Sequence, residues 1–187
     1  MLECIRYIYL DKIMRMFHRT KYWQKDKRDN RMEKRRLKVC FAASSGGHYE
    51  QLLMLKPLME KYDSFIITEK TSYAIDVEGV KTYYMIQTNR KEKTLFFKMT
   101  SNIMASFSIY FKERPDVVIC TGVLAMIPIC LICKLFGKKL VYIESFAKVT
   151  SATESGKLLY KFADQFYVQW ESMLKIYPKA IYLGGIY

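Results

Sequence analysis

From Leu37 onward the chain alternates short apolar runs with longer amphipathic ones, and this alternation limits the folds open to it. Leu37-Lys-Val-Cys-Phe-Ala-Ala43 is brief, apolar and followed by small polar residues, the pattern of a buried strand. Ser64–Thr68, Lys81–Ile86, Asp116–Thr121, Lys138–Ile143 and Gln165–Gln169 have the same character. Helical periodicity fills the gaps: a run through Lys61, then Lys93–Glu113 closed by Arg114-Pro115, Val123–Phe136, and Lys157–Ala163. Strands separated by helical crossovers predict an α/β fold, a doubly wound parallel sheet. In such sheets ligands sit at the carboxyl ends of the strands. The loops 44–48, 121–122 and 144–156 all fall at that edge, so chemistry is expected there.

Apolar residues make up 51% of the 187 and aromatics 15%, enough to build a core and to exclude global disorder. The net charge of +13 is uneven: residues 1–38 hold 13 basic and 5 acidic side chains, a local +8. Within this arm Leu2, Ile5, Ile8, Tyr9, Ile13, Met16 and Phe17 share one half of a helical wheel, with Arg6 and Lys12 intruding. Tyr22 and Trp23 end the stretch, and a nearly all-charged segment leads to Lys38. Residues 1–36 therefore read as a basic amphipathic arm suited to an anionic membrane surface. A helix packed on the domain, a basic tail, or a start at Met32 would also fit. A second apolar helix, Leu95–Phe111, is apolar around most of its circumference; such a helix is buried on two sides or exposed to lipid or a partner. The longest uncharged run, Val117–Cys133, contains Gly122 and Pro128 and is short for a membrane span. The five cysteines lack framework spacing, and Cys130-x-x-Cys133 lies in an apolar run without a complete ligand set; reduced, structural thiols are expected, and no metal.

Ser44-Ser45-Gly46-Gly47-His48 follows a strand and opens a helix. Paired glycines let the backbone approach a ligand, and free N–H groups at a helix start favour an anion. His48 could serve as a base or contact phosphate. The spacing matches neither the three-glycine dinucleotide fingerprint nor the Walker loop. Glu144-Ser145 follows the fifth strand, where a carboxylate could orient a sugar hydroxyl or act as a base; a loop-capping acid is the ordinary alternative. Lys148 and the hydroxyls that follow suit a diphosphate, and equally an N-cap before Gly156.

Together these motifs resemble a family. Ala43-Ser-Ser-Gly-Gly-His48 with Gln51-Leu52, Arg114-Pro-Asp-Val-Val-Ile-Cys-Thr-Gly122, Pro128 and Tyr142-Ile-Glu-Ser145 occur in order. Gly156-Lys-Leu-Leu-Tyr160, Ala163-Asp164, Val168-Gln-Trp170 and Tyr182-Leu-Gly-Gly-Ile-Tyr187 follow. They resemble the acceptor-side, membrane-binding subunit of the two-part GlcNAc transferase of dolichol-linked oligosaccharide synthesis, and its bacterial relatives in capsule and exopolysaccharide assembly. The resemblance spans Leu37–Tyr187 and implies a Rossmann-like, N-terminal half of a GT-B glycosyltransferase. Such a half meets the membrane and a polyprenyl-diphosphate-linked sugar acceptor. A separate donor-binding subunit would hold most of the UDP-sugar, since Tyr187 falls about where the interdomain linker would begin.

Carried over, the resemblance marks His48 and Glu144 as catalytic candidates, either being the possible base. Ser45, Gly46, Gly47, Gly122, Ser145 and Lys148 become candidates for acceptor diphosphate. Lys148 stands where the family has Arg, which keeps charge but loses the bidentate fork; Lys161 stands where Pro is frequent. No cofactor is implied, and the expected location is peripheral, on the cytoplasmic face of the membrane. Two rival functions remain. One is a noncatalytic anchor or enhancer of the partner enzyme. The other is a nucleic-acid-binding module, which the basic arm with Tyr22 and Trp23 allows. Because the charge lies outside the domain and no nucleic-acid motif is present, no nucleic acid partner is expected.

Overall fold

The computed structural model describes residues 36–71, 77–122 and 124–187, and before them 12, 13, 15, 23–25 and 32–34. Two short strands, β1 (Trp23–Lys25) and β2 (Met32–Lys34), pair antiparallel. The rest of the basic arm lies outside the described residues, and so does its amphipathic helix as a whole.

The domain is built on seven strands: β3 (Lys38–Ala43), β4 (Asp63–Glu69), β5 (Lys81–Met85), β6 (Val117–Gly122), β7 (Lys139–Ile143), β8 (Gln165–Val168) and β9 (Ile181–Tyr182). They pair in the order β5-β4-β3-β6-β7-β8-β9, and every pairing is parallel. The order reverses between β3 and β6, and in sheets of this kind that switch point, at the carboxyl ends of the two strands, is where ligands sit. This is the expected doubly wound, Rossmann-like sheet.

Period-two alternation splits the strands between two cores. Cys40, Ala42, Phe65, Ile67, Val118, Cys120, Leu140 and Tyr142 face one side. There they meet Ile109 and Tyr110 of α3 (Leu95–Glu113) and Ile129, Cys130, Ile132 and Cys133 of α4 (Ile127–Leu135). Val39, Phe41, Ile66, Val117, Ile119, Val141 and Ile143 face the other side. They pack on Tyr49 and Leu52 of α1 (Gly47–Leu53) and on Leu58 and Met59 of α2 (Lys56–Lys61). Ile13, one of the arm's apolar stripe, is fully buried in this second cluster. Cys40, Cys120, Cys130 and Cys133 are free, buried thiols of the first core. Burial pushes the Cys133 thiol up to about 12.

Several boundaries differ from expectation for local reasons. The run after the glycine loop breaks at Met54-Leu55, where Pro57 in the first turn of α2 starts a new helix. Val123–Phe136 resolves into a 3-10 turn at Leu124–Met126 and then α4, again with proline in its first turn. The helix α5 (Glu154–Leu159) begins before the predicted Lys157, because Thr153 caps it by accepting the Gly156 N–H at 2.8 Å. The two-residue β9 was not predicted; its residues carry too little apolar pattern to mark a strand.

The helix α3 is not buried on two sides. Ile109 and Tyr110 are buried, whereas Phe96, Phe97 and Met104 are 76%, 74% and 68% exposed. Arg114, in the left-handed region, ends it before Pro115.

Candidate functional site

The glycine loop leaves β3 at Ser44, whose N–H donates to the Gly122 carbonyl at the end of β6 across 3.1 Å. Gly46 takes a positive φ of 73°, which an L-residue with a side chain resists, and its carbonyl accepts the Tyr49 and Glu50 N–H groups of α1. A Cβ on Gly46 or Gly47 would meet nothing within 4 Å, so the loop's outer side is open to close approach.

His48, in the first turn of α1, lies against Gly122. A Cβ at Gly122 would sit 2.8 Å from His48 Nδ1 and 2.9 Å from Cε1, and Gly122 also has a φ of 125°. Only glycine fits there. The ring is fixed from below: Nδ1 lies 2.7 Å from the Thr121 carbonyl, which can only accept. In the neutral imidazole the proton is therefore on Nδ1, and Nε2 carries the lone pair. Thr121 Oγ1 returns a hydrogen bond to the His48 carbonyl at 2.8 Å. Nε2 has no hydrogen-bond partner among the described residues. Oriented by a backbone carbonyl and half-buried, it is equipped to accept a proton.

Glu144 occupies a different environment. Its side chain is buried and its oxygens accept from the Ser145 N–H at 2.9 Å, the Thr153 hydroxyl at 2.9 Å and the Tyr177 hydroxyl at 2.9 Å. A Cβ at Gly156 would lie 2.0 Å from Glu144 Oε2, so the helix α5 closes over the carboxylate. Burial, and then the neighbouring Glu144, raise the Tyr177 phenol, which stays protonated and donates. Glu144 thus fastens the loop 145–153 to α5 and to Tyr177.

The two halves of the site are joined through glutamines. Gln51 of α1 donates to the Glu144 carbonyl at 3.3 Å and accepts from the Phe146 N–H at 3.4 Å. Gln169 donates to the same carbonyl at 2.8 Å and accepts from Ile186 N–H at 3.0 Å. The Tyr187 hydroxyl donates to the Gly47 carbonyl at 2.9 Å, and its ring meets Phe146. Ser145 and Lys148 form one turn, the Lys148 N–H donating to the Ser145 carbonyl at 3.0 Å, with both residues partly exposed.

Ser45, Gly46, Gly47, His48 and Gly122 are therefore brought together at the switch point, and Glu144, Ser145 and Lys148 line the next strand end. Sequence reasoning missed Glu69, Gln169 and Tyr177. Glu69 ends β4, and its carboxylate accepts from Ser45 in the glycine loop; an acid directly after the apolar run of a strand was the available signal.

Comparison with known proteins supplies the family and the fold. Residues 39–186 match the family described as oligosaccharide biosynthesis protein Alg14 like. The human UDP-N-acetylglucosamine transferase subunit ALG14 is 29% identical over 179 residues, covering 80% of this chain and 83% of its own. Its fission yeast counterpart is 41% identical over 91 residues, 44% of this chain and 43% of its own. Among solved structures, MurG of Acinetobacter baumannii superposes with a TM-score of 0.58 at 16% identity, over 73% of this chain and 42% of that one. A UDP-N-acetylglucosamine 2-epimerase from Rickettsia bellii gives 0.63 at 10% identity, over 81% of this chain and 46% of that one. At those identities the likeness is one of fold, and this chain spans less than half of either protein. The family match covers nearly the whole domain, including the glycine loop, His48, Gly122 and Glu144: the chain belongs to the Alg14-like family of oligosaccharide biosynthesis proteins, whose human and fission yeast relatives are named as UDP-N-acetylglucosamine transferase subunits.

Proposed function

We propose that this chain is the acceptor-binding, membrane-recruiting half of a bipartite glycosyltransferase. Residues 37–187 hold a polyprenyl-diphosphate-linked sugar, and a donor-binding subunit supplies most of the UDP-sugar site. The observation that carries this reading is His48: a glycine-enclosed imidazole, its Nδ1 tied to Thr121, beside an open glycine loop at the switch point. The acceptor hydroxyl oxygen attacks the anomeric carbon of the donor sugar from the face opposite UDP. The C–O bond to the diphosphate breaks, UDP departs with the electron pair, and the hydroxyl proton passes to His48 Nε2. Attack from the opposite face inverts the anomeric carbon and yields a β-linkage. Because its oxygens are already occupied by internal donors, Glu144 acts as a positioning residue and His48 as the base. Ser45, Gly46, Gly47, Gly122, Ser145 and Lys148 surround the place for the acceptor's diphosphate.

Membrane recruitment is supported by α3. Phe96, Phe97 and Met104 project into solvent, and exposed Arg90, Lys91 and Lys93 precede them. Apolar side chains bordered by cations suit the interface of an anionic bilayer. Among the described residues no helix is long and apolar enough to cross a membrane. Peripheral attachment to the cytoplasmic face through α3 fits a lipid-linked acceptor. In this reading the product enters lipid-linked oligosaccharide or polysaccharide assembly, capsule and exopolysaccharide included.

The test is co-expression with a donor-binding subunit and assay of UDP-sugar-dependent transfer to a polyprenyl-diphosphate sugar. The pair should be active and each chain alone inactive. His48→Ala should lower kcat by about 100-fold or more while pairing persists. Wild-type turnover by His48→Ala would remove the catalytic assignment and leave a recruiting subunit.

A further inference from the structure

The carboxylate of Glu69 lies outside the chemistry assigned above. It ends β4 at the ligand edge of the sheet and is 5% exposed. Its Oε2 accepts from the Ser45 N–H at 3.4 Å and from the Ser45 hydroxyl at 3.3 Å. Its Oε1 accepts from the Thr88 N–H at 3.1 Å. All of these donors are neutral. Burying a carboxylate against neutral donors weakens a fold relative to burying an apolar side chain. What the carboxylate supplies instead is geometry, because its two oxygens are held by two different loops. Ser45 immediately precedes the paired glycines. Thr88 lies in the connection from β5 into α3, the helix that carries exposed Phe96 and Phe97. Asn102 of α3 grips the same connection, donating to the Ile86 carbonyl at 2.9 Å and accepting the Ile86 N–H at 3.0 Å. An unbroken polar chain thus runs from α3 through the 86–88 connection and Glu69 to the glycine loop.

We propose that Glu69 is a positioning residue that couples the membrane-facing helix α3 to the acceptor-binding glycine loop. This inference rests on the acceptor-binding reading above. A lipid-linked acceptor carries its diphosphate at a depth fixed by the bilayer, so the loop that receives it must be held at a matching height. α3 takes its height from the membrane, and Glu69 passes that height to Ser45. Since its oxygens are occupied by Ser45 and Thr88, Glu69 acts through the loop and not on the diphosphate, which it would repel.

The experiment uses the full chain paired with its donor-binding subunit. Mixed phosphatidylglycerol and phosphatidylcholine vesicles carry undecaprenyl-diphosphate-GlcNAc, and a short-chain soluble analogue is assayed in parallel. Glu69→Gln keeps the shape but replaces one accepting oxygen by an amide NH2, which cannot accept from either loop. The acceptor KM in vesicles should rise by about tenfold, with kcat and the UDP-sugar KM within about threefold of wild type. The soluble acceptor should show a smaller rise, while melting temperature and pairing stay unchanged. Asn102→Ala, at the α3 end of the chain, should produce a similar defect, and its double variant with Glu69→Gln should be no worse than the stronger single one, since both cut one chain. An unchanged acceptor KM, an equal loss toward UDP-sugar, or equal defects in vesicles and solution would overturn the inference. If Glu69→Gln fails to fold, Asn102→Ala, which cuts the same chain at its α3 end, decides by the same criteria. If the wild-type pair binds no acceptor, the reading beneath the inference fails first; if His48→Ala abolishes transfer while Glu69→Gln is silent, only this inference fails.

Discussion

At Gly122, backbone conformation and catalytic geometry are one constraint. Its φ of 125° is hostile to a side chain, and the space a Cβ would need is occupied by the His48 ring at 2.8 Å. Gly122→Ala should displace the imidazole and break its 2.7 Å hydrogen bond to Thr121. The expected loss is about 2–3 kcal/mol of stability from strain and overpacking together. Denaturant unfolding of the variant measures that loss. Transfer should fall with an unchanged KM for UDP-sugar, because the affected group is the base and not the donor site. A variant as active as wild type would mean that His48 does not need this enclosure. The glycine loop and His48 were legible because strand, small residues and helix start are consecutive in the chain. Gly122 was legible as a residue at the ligand edge, but its reason, the ring of His48 from the first turn of α1, exists only in three dimensions. Glu144 shows the opposite case. Its position at a strand end was legible, and so were the hydroxyl run and Gly156 that follow, but not that Thr153, Gly156 and the distant Tyr177 enclose its carboxylate. Glu69 escaped for a similar reason: its partners Ser45 and Thr88 lie 24 and 19 positions away.

Among the elements, α3 is where burial and exposure are most finely divided. Its sequence is apolar around most of the helix, so periodicity alone could not say which side meets the sheet. The structure resolves this by face: Asn102, Ser106, Ile109, Tyr110 and Glu113 form a buried stripe, with Tyr110 stacked on Phe136 at 4.6 Å, while Met104 and Phe111 on the other side are exposed and the N-terminal turns project beyond the core. Phe96 and Phe97 make an edge-to-face pair, 5.9 Å between centroids, on that projecting end. Replacing both by Ser should leave the melting temperature unchanged, since neither is buried in the fold. Burial of a phenylalanine side chain is worth about 1.5–3 kcal/mol, so the double variant should bind anionic vesicles about 100-fold more weakly or worse. Co-sedimentation across lipid concentrations measures this, and retained binding would place membrane contact elsewhere. The strands were easier to read, since β3, β6 and β7 are buried on both faces and largely apolar, and β4 carries the buried Phe65, Ile66 and Ile67 at its centre. Helix starts were less so: the hydroxyls before Gly156 suited an N-cap and a diphosphate equally, and only the Thr153 bond to the Gly156 N–H shows the cap.

For the molecule as a whole, the sheet separates two ends with different electrostatic tasks. The carboxyl edge gathers the glycine loop, His48 and the enclosed Glu144. The opposite end is closed by Glu113, at the C-terminus of α3, whose carboxylate receives Lys38 from the start of β3 and Lys81 from the start of β5, each at 2.6 Å. The Tyr83 hydroxyl donates to it as well. Burial pushes this carboxyl up, but the hydrogen bonds from Lys38, Lys81 and Tyr83 outweigh it and hold its pKa at about 2, below the ordinary 4.5. A group whose folded pKa is depressed stabilises the fold above its unfolded value, and that contribution is lost as pH falls through the folded value. Stability should therefore decline as pH drops from about 4.5 toward 2, and unfolding followed across that window should show it. In Glu113→Gln the decline should be shallower, and the variant should already be less stable at neutral pH, by on the order of 2 kcal/mol. Its acceptor KM and UDP-sugar KM should stay close to wild type at neutral pH, because Glu113 sits at the far end of the sheet from the loops that receive both substrates. A steep acid transition that persists in Glu113→Gln would assign the acid sensitivity to other carboxylates, with Asp164 the next to test, since burial raises it while Lys134, the Leu140 N–H and Lys139 lower it further.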